Sequence, residues 1–248
     1  MMLHEIVLPF FLSFFVHMWS TVVGGGGALL IPGLIVLGYS PQVAIATNRF
    51  AALSGAFSIF QFHKQGNIHW KLGAFLAIFA GMGSVIGSFL LLKIDTDIIE
   101  RGIGVIILLS LPMFLLRPQA GVKQKYMKMT KLKHLGGGAM MLFFGILGGF
   151  FSSAGVWFSY TFIFYYGLTF LQTAATRRLI GLAMVGLSLI VLIPSGIIHW
   201  PTAISMFAGG GLGSMISAHF AHKLGNQLVR YVFLAVMLMS GIHLLLFS

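Results

Sequence analysis

Cysteine is absent from this 248-residue chain, and acidic residues nearly so: four Asp or Glu stand against fifteen Lys or Arg. The first absence excludes a disulfide framework, a thiolate metal site and a cysteine nucleophile. The second removes the paired carboxylates of an acid–base enzyme and the aspartate that orients a hydrolytic triad. Charged residues of both signs make up 8% of the chain, whereas a soluble domain carries about a quarter. A water-facing shell cannot be built from that composition. What is present is apolar: 58% hydrophobic residues, 14% aromatic, and 32 glycines. The formal net charge of +11 does not indicate nucleic-acid binding, because the basic residues gather at breaks between apolar runs. The chain reads as an all-α, polytopic helical membrane protein whose environment is the lipid bilayer, with no nucleic-acid partner.

A helix needs about 20 apolar residues to cross the hydrocarbon core. Such runs lie at 41–62, 70–92, 97–116, 170–193, 201–222 and 227–247. Two further segments, 6–38 and 136–167, are too long for one crossing and too short for a comfortable pair. Each is broken by small residues, Gly24 to Gly27 in the first and Gly148 to Gly155 in the second. Backbone freed by glycine survives inside a membrane only where protein or water surrounds it. Both segments are therefore expected to be broken helices or re-entrant hairpins lining a cavity. The N-terminal Met1-Met2-Leu3-His4-Glu5 lacks the basic stretch of a secretory signal.

The second half repeats the first. A shift of 129 residues aligns Gly38 with Gly167, Ala46 with Ala175, Thr47 with Thr176 and Arg49 with Arg178. A shift of 130 then aligns Gly66 with Gly196, His69-Trp70 with His199-Trp200, Gly83-Ser84 with Gly213-Ser214 and Lys93 with Lys223. The expected organisation is a first membrane repeat at 1–116, a basic linker at 117–135 and a second repeat at 136–248. Each repeat comprises one interrupted segment and three transmembrane helices. If the interrupted segment enters and leaves on one side, each half has three crossings and the repeats are inverted. That arrangement places most lysines and arginines on one side, with Lys93 and Arg101 opposite. The positive-inside rule then makes the linker cytoplasmic and leaves both termini outside.

The acids Glu5, Asp95, Asp97 and Glu100 each sit at or near the end of an apolar run and none lies mid-span, so the carboxylates of a cation pathway are missing. The intramembrane charge is positive. Arg49 lies eight residues into the span that begins near Pro41, about 12 Å deep at 1.5 Å per residue. Arg178 takes the matching place, with Arg177 beside it. Snorkelling or capping of carbonyls is the structural alternative. The functional one is a bound anion held by guanidinium forks. Thr47, Asn48 and Thr176 are candidate second donors, or polar packing residues. Gly25, Gly26 and Gly27, with Ser152 and Ser153 in the second break, would present helix N-terminal amides to the same anion. His69-Trp70 and His199-Trp200 read as interfacial anchors. His17, His219 and His222 are the histidines left for any proton coupling. No third ligand accompanies His219 and His222, so neither a metal nor another cofactor is expected.

These residues resemble the TauE/SafE sulfite exporter family, also called the 4-toluene sulfonate uptake permease family. Its N-terminal signature is similar to Gly24-Gly25-Gly26-Gly27-Ala28-Leu29-Leu30-Ile31-Pro32, followed by Gly38-Tyr39-Ser40-Pro41 and Ala44-Ile45-Ala46-Thr47. Its later turn is similar to Gly66-Asn67-Ile68-His69-Trp70. The resemblance covers essentially the whole chain. It implies a carrier of the bacterial inner membrane, not an enzyme, that exports sulfite or an organosulfonate such as sulfoacetate by alternating access, with a homodimer as the candidate assembly. An anion channel and an intramembrane enzyme are the alternatives. Family members often follow Ala-Thr with Ser and an apolar residue, whereas this chain has Asn48-Arg49 and Thr176-Arg177-Arg178. The added positive charge favours a strongly acidic substrate.

Overall fold

The computed structural model describes residues 3–23, 26–94, 130–151 and 155–220, together with 121, 124 and 231. The spans expected at 97–116 and 227–247 and most of the basic linker lie outside the described residues. Within them all regular structure is helical. A π-helical turn (Leu3–Val7) leads into α1 (Leu8–Val23), followed by α2 (Gly27–Val36), α3 (Pro41–Ala51), α4 (Ala56–Lys64) and α5 (Trp70–Leu91). The second half holds α6 (Lys131–Phe151), α7 (Gly155–Tyr160), α8 (Phe170–Leu192) and α9 over 200–220. Residues 131–135 of the expected linker are therefore helical. Among the described residues, five stretches are long and apolar enough to cross a membrane: Glu5–Val22, Pro41–Lys64, Trp70–Leu91, Lys131–Phe151 and Phe170–Leu192.

Burial is inside out. Ile78, Met82, Ile86 and Phe89 form an exposed stripe along α5, and Phe11, Phe15 and Trp19 do so along α1. Ser13, Thr21, Thr47, Asn48, Arg49, Ser84, Ser88, Thr173 and Thr176 are buried. Water would penalise that arrangement, whereas hydrocarbon rewards it, because apolar side chains cost nothing against lipid and polar groups must find partners inside. Trp70 and Trp200 are exposed at the first residues of α5 and α9, as interfacial anchors would be.

The two interrupted segments are helical hairpins. Gly26 sits against Ser20 and Val16 of α1, and Gly33 against Leu12, so α2 runs back antiparallel to α1. In the second half the Phe144 ring stacks on Trp157 at 5.4 Å, and Gly137 sits against Tyr166 near the α6 start. At ten residues α2 is about 15 Å long, half the hydrocarbon thickness. Each hairpin closes where it opened. Thr202 Oγ1 donates to the Glu5 carbonyl and lies 2.7 Å from the Tyr39 hydroxyl just beyond α2. Lys133 stands over the Tyr165 ring at the base of the second hairpin. The span over α3 and α4 separates the two entrances: Tyr39 precedes it, whereas the second hairpin's His134 packs on Phe75 near the start of α5. The hairpins thus enter from opposite ends of the bundle.

Glycine seams hold these helices together. A Cβ at Gly83 or Gly87 would collide with the carbonyls of Leu142 and Ile146 in α6, and one at Gly145 or Gly149 with those of Ala80 and Ser84 in α5. The i, i+4 spacing lets the two backbones touch. Gly209 and Gly213 of α9 make the same approach to the Phe10 and Phe14 carbonyls of α1. Ser84 Oγ donates to Met184 O at 2.9 Å, and Ser214 Oγ to Ser54 O at 3.3 Å. Each contact recurs with the halves exchanged. Gly38, Gly167, Gly66 and Gly196, which the two shifts align, all have positive φ (92°, 76°, 69° and 73°), a conformation that only glycine adopts at no steric cost.

Candidate functional site

Pro41 at the first turn starts α3 after an extended Ser40, and the helix carries Asn48 and Arg49 to its buried end. A 3₁₀ turn over Ala52–Gly55 then joins α3 to α4. On the other side, a capping box starts α8: Thr169 Oγ1 accepts the Gln172 amide at 3.2 Å, and Gln172 Oε1 accepts the Thr169 amide at 3.1 Å. Arg177 and Arg178 follow two turns later. The 3₁₀ turn, α8 and the two hairpins enclose a cavity of about 160 Å³, an order of magnitude more than one water needs.

Arg49, Arg177 and Arg178 all line this cavity, with Asn48, Gly26 and Gly27. Glu5, at the entrance of α1, is the one carboxylate among the described residues, so no described acid faces the three cations. Their hydrogen bonding differs. Arg49 Nη2 donates to the carbonyls of Gly148 and Gly149 at 2.5 and 3.0 Å, in the last turn of α6, where helix carbonyls lack intrahelical partners. Arg177 Nη1 donates to Gly155 O at 3.1 Å and Ser159 Oγ at 2.9 Å. Arg178 lies across the 3₁₀ turn, where Gly55 leaves room for its Nη1. Its Nε and Nη2 are buried and meet no acceptor among the described residues, and the same holds for Arg49 Nε.

The other sequence candidates fall elsewhere. Thr47 and Thr176 are fully buried but do not line the cavity. Thr47 Oγ1 accepts the His199 amide and Thr176 Oγ1 the His69 amide, each at 3.1 Å. Each hydroxyl satisfies an orphan donor at the start of a helix in the opposite half, the polar-packing alternative of the two. Gly25, Ser152 and Ser153 lie outside the described residues, as does His222. Gly155 opens a helix of only six residues, and Arg177 occupies its carbonyl. Of the lining residues, Gly55 is not singled out by the sequence, whereas Gly148 belongs to the second glycine break and His17 to the histidines left for proton coupling. For His17 a signal existed, since Ser13 and His17 are four apart and share a helix face.

Comparison with known proteins agrees with this architecture. The model of the family described as "Sulfite exporter TauE/SafE" matches residues 9–244. A probable membrane transporter protein of Haemophilus influenzae is 26% identical over 227 residues, covering 91% of this chain and 88% of its own. The probable membrane transporter protein YfcA of Escherichia coli is 25% identical, covering 95% and 88%. YjnA of Bacillus subtilis, also a probable membrane transporter protein, is 22% identical over 89% and 92%. No solved structure matches significantly.

Proposed function

We propose that this chain, which belongs to the TauE/SafE sulfite exporter family, is a secondary carrier that exports a small sulfur-containing anion, sulfite or an organosulfonate such as sulfoacetate, across the bacterial inner membrane. The observation that carries the reading is the convergence of Arg49, Arg177 and Arg178 on one cavity that no described carboxylate neutralises. An unpartnered guanidinium at membrane depth is expensive, and an oxyanion with three acceptor oxygens offsets that cost. Arg178 is the principal ligand in this reading, because its Nε and Nη2 are buried and unpaired. Gly26, Gly27 and Asn48 complete the polar wall. Leu30, Phe158, Leu182 and Met184 face the same space and suit the carbon portion of a sulfonate.

The two halves, 1–116 and 136–248, serve as the moving parts, exchanging access around a fixed site. The linker is placed on the cytoplasmic side and the termini outside by the distribution of lysines and arginines.

Uptake of labelled sulfoacetate and sulfite into proteoliposomes tests the reading. Charge-assisted hydrogen bonds are worth about 1.5–3 kcal/mol, so Arg178→Ala should weaken substrate affinity at least about tenfold. Wild-type affinity in Arg178→Ala and in the Arg177→Ala/Arg178→Ala double variant would overturn the assignment. Unsaturable conductance in planar bilayers would identify a channel instead.

A further inference from the structure

His17 is buried on α1, lines the cavity with Arg49, Arg177 and Arg178, and has no part in the anion cage described so far. Its Nδ1 lies 3.0 Å from the Ser13 carbonyl and 3.2 Å from Ser13 Oγ. A carbonyl only accepts, so Nδ1 carries a proton and donates it there. Ser13 Oγ is itself anchored, donating to Met206 O of α9 at 2.7 Å. Gly210 of α9 leaves the space these groups need, for a Cβ there would press on His17 Nδ1, Ser13 Oγ and Ser54 Oγ. The ring is thus held in one orientation and one tautomer. In the neutral ring Nε2 presents a lone pair, and no described residue hydrogen-bonds to it.

We infer that His17 couples the anion to a proton: the imidazolium donates Nε2–H to an oxygen of the bound anion, and the two cross together. The inference rests on the anion site proposed above. The charged groups facing His17 are Arg49 from α3 and Arg177 and Arg178 from α8. From α2, α6 and α7 the lining consists of glycine and apolar side chains, and α9 meets the histidine through Gly210. A fourth positive charge among three guanidiniums is tolerated only when an anion lies between them, and a neutral ring turns a lone pair toward that anion. Proton and anion therefore favour each other, and the coupling is reciprocal. Ser13 positions the ring and does not touch the substrate.

Sulfoacetate and methanesulfonate are suitable probes because their charges do not change near neutral pH. Calorimetric titration of the purified protein, repeated in buffers of different ionisation enthalpy, counts the protons taken up with each anion. Over the pH interval in which the ring is neutral in the empty protein and charged in the loaded one, the expected result is close to one proton per anion for the wild type, with affinity rising as the pH falls. His17→Gln should still bind, with no proton uptake and no pH dependence. Zero uptake by the wild type overturns the inference without need of any variant. Undiminished uptake by His17→Gln or His17→Asn overturns it as well. Failure of the wild type to bind either anion, or unaltered binding by Arg178→Ala, strikes the anion site itself, whereas wild-type binding that Arg178→Ala weakens but that takes up no proton strikes the coupling alone.

Discussion

Removing Arg49 leaves the Gly148 and Gly149 carbonyls without the buried donor that serves them both. An unsatisfied buried polar group costs about 1–3 kcal/mol, so Arg49→Ala should lower the midpoint of thermal unfolding in detergent. Arg178→Ala relieves a buried cation of its unpaired Nε and Nη2 and should leave that midpoint unchanged or raised, while abolishing tight anion binding. A scan of both variants checks the contrast. Sequence reasoning placed both arginines inside the membrane through their alignment at a shift of 129. It did not distinguish the clamped one from the free one, because the carbonyls that clamp Arg49 lie about 100 residues away in the chain. Thr47 and Thr176 were equally opaque: their partners are backbone amides of the opposite half. His69, outside the spans, has its pKa lowered from the ordinary imidazole value by burial, partly countered by a hydrogen bond with the Gln172 side chain. The unfolded chain binds that proton first as the pH falls. Stability is therefore full above the ordinary imidazole value and declines as the pH drops through it toward the lowered one. His69→Gln should flatten this acid limb in pH-dependent melting.

At the scale of elements, the α5–α6 contact is a seam of backbone on backbone. Gly83→Ala drives a methyl into the Leu142 carbonyl, which can yield only if the helices part. Overpacking of this kind costs about 1–3 kcal/mol, whereas Gly186→Ala on α8, where no described atom lies within 4 Å of an added Cβ, should be neutral or slightly stabilising through helix propensity. Thermal unfolding of the two variants checks this directly. The hairpins were legible because glycine breaks interrupt runs of awkward length. The capping box at Thr169 and Gln172 is equally legible, as the Thr-x-x-Gln spacing ahead of an apolar run. The 3₁₀ turn over Ala52–Gly55 left no mark beyond a single glycine. Arg178, from the other half, lies across it beside Gly55.

For the molecule as a whole, the contacts repeat with the halves exchanged: His199 on Thr47 and His69 on Thr176, α5 along α6 and α9 along α1. Thr47→Val and Thr176→Val should each cost about 0.5–1.5 kcal/mol and act on separate contacts, so the double variant should show nearly their sum. Thermal melts of the three proteins decide. The glycines at 38 and 167, and at 66 and 196, are among the letters that the two shifts align, and each has the positive φ that admits little but glycine. The crossing of the halves was not readable, since a sequence aligned with itself says nothing about which copy each helix packs against.

The cluster of guanidiniums also has an electrical meaning. A cavity holding three fixed positive charges is a potential well set inside a low-dielectric slab, and any movement that carries it through part of the membrane field moves charge. A full elementary charge displaced across 100 mV is worth about 2.3 kcal/mol, comparable to one good hydrogen bond to an ion. On the carrier reading proposed above, the empty protein presents this charge bare, whereas a dianion loaded together with the proton on His17 lowers it by one. In such a carrier, membrane voltage would act on the unloaded return step more strongly than on the loaded one. The resting potential becomes a brake or an accelerator according to which face the empty well must turn toward.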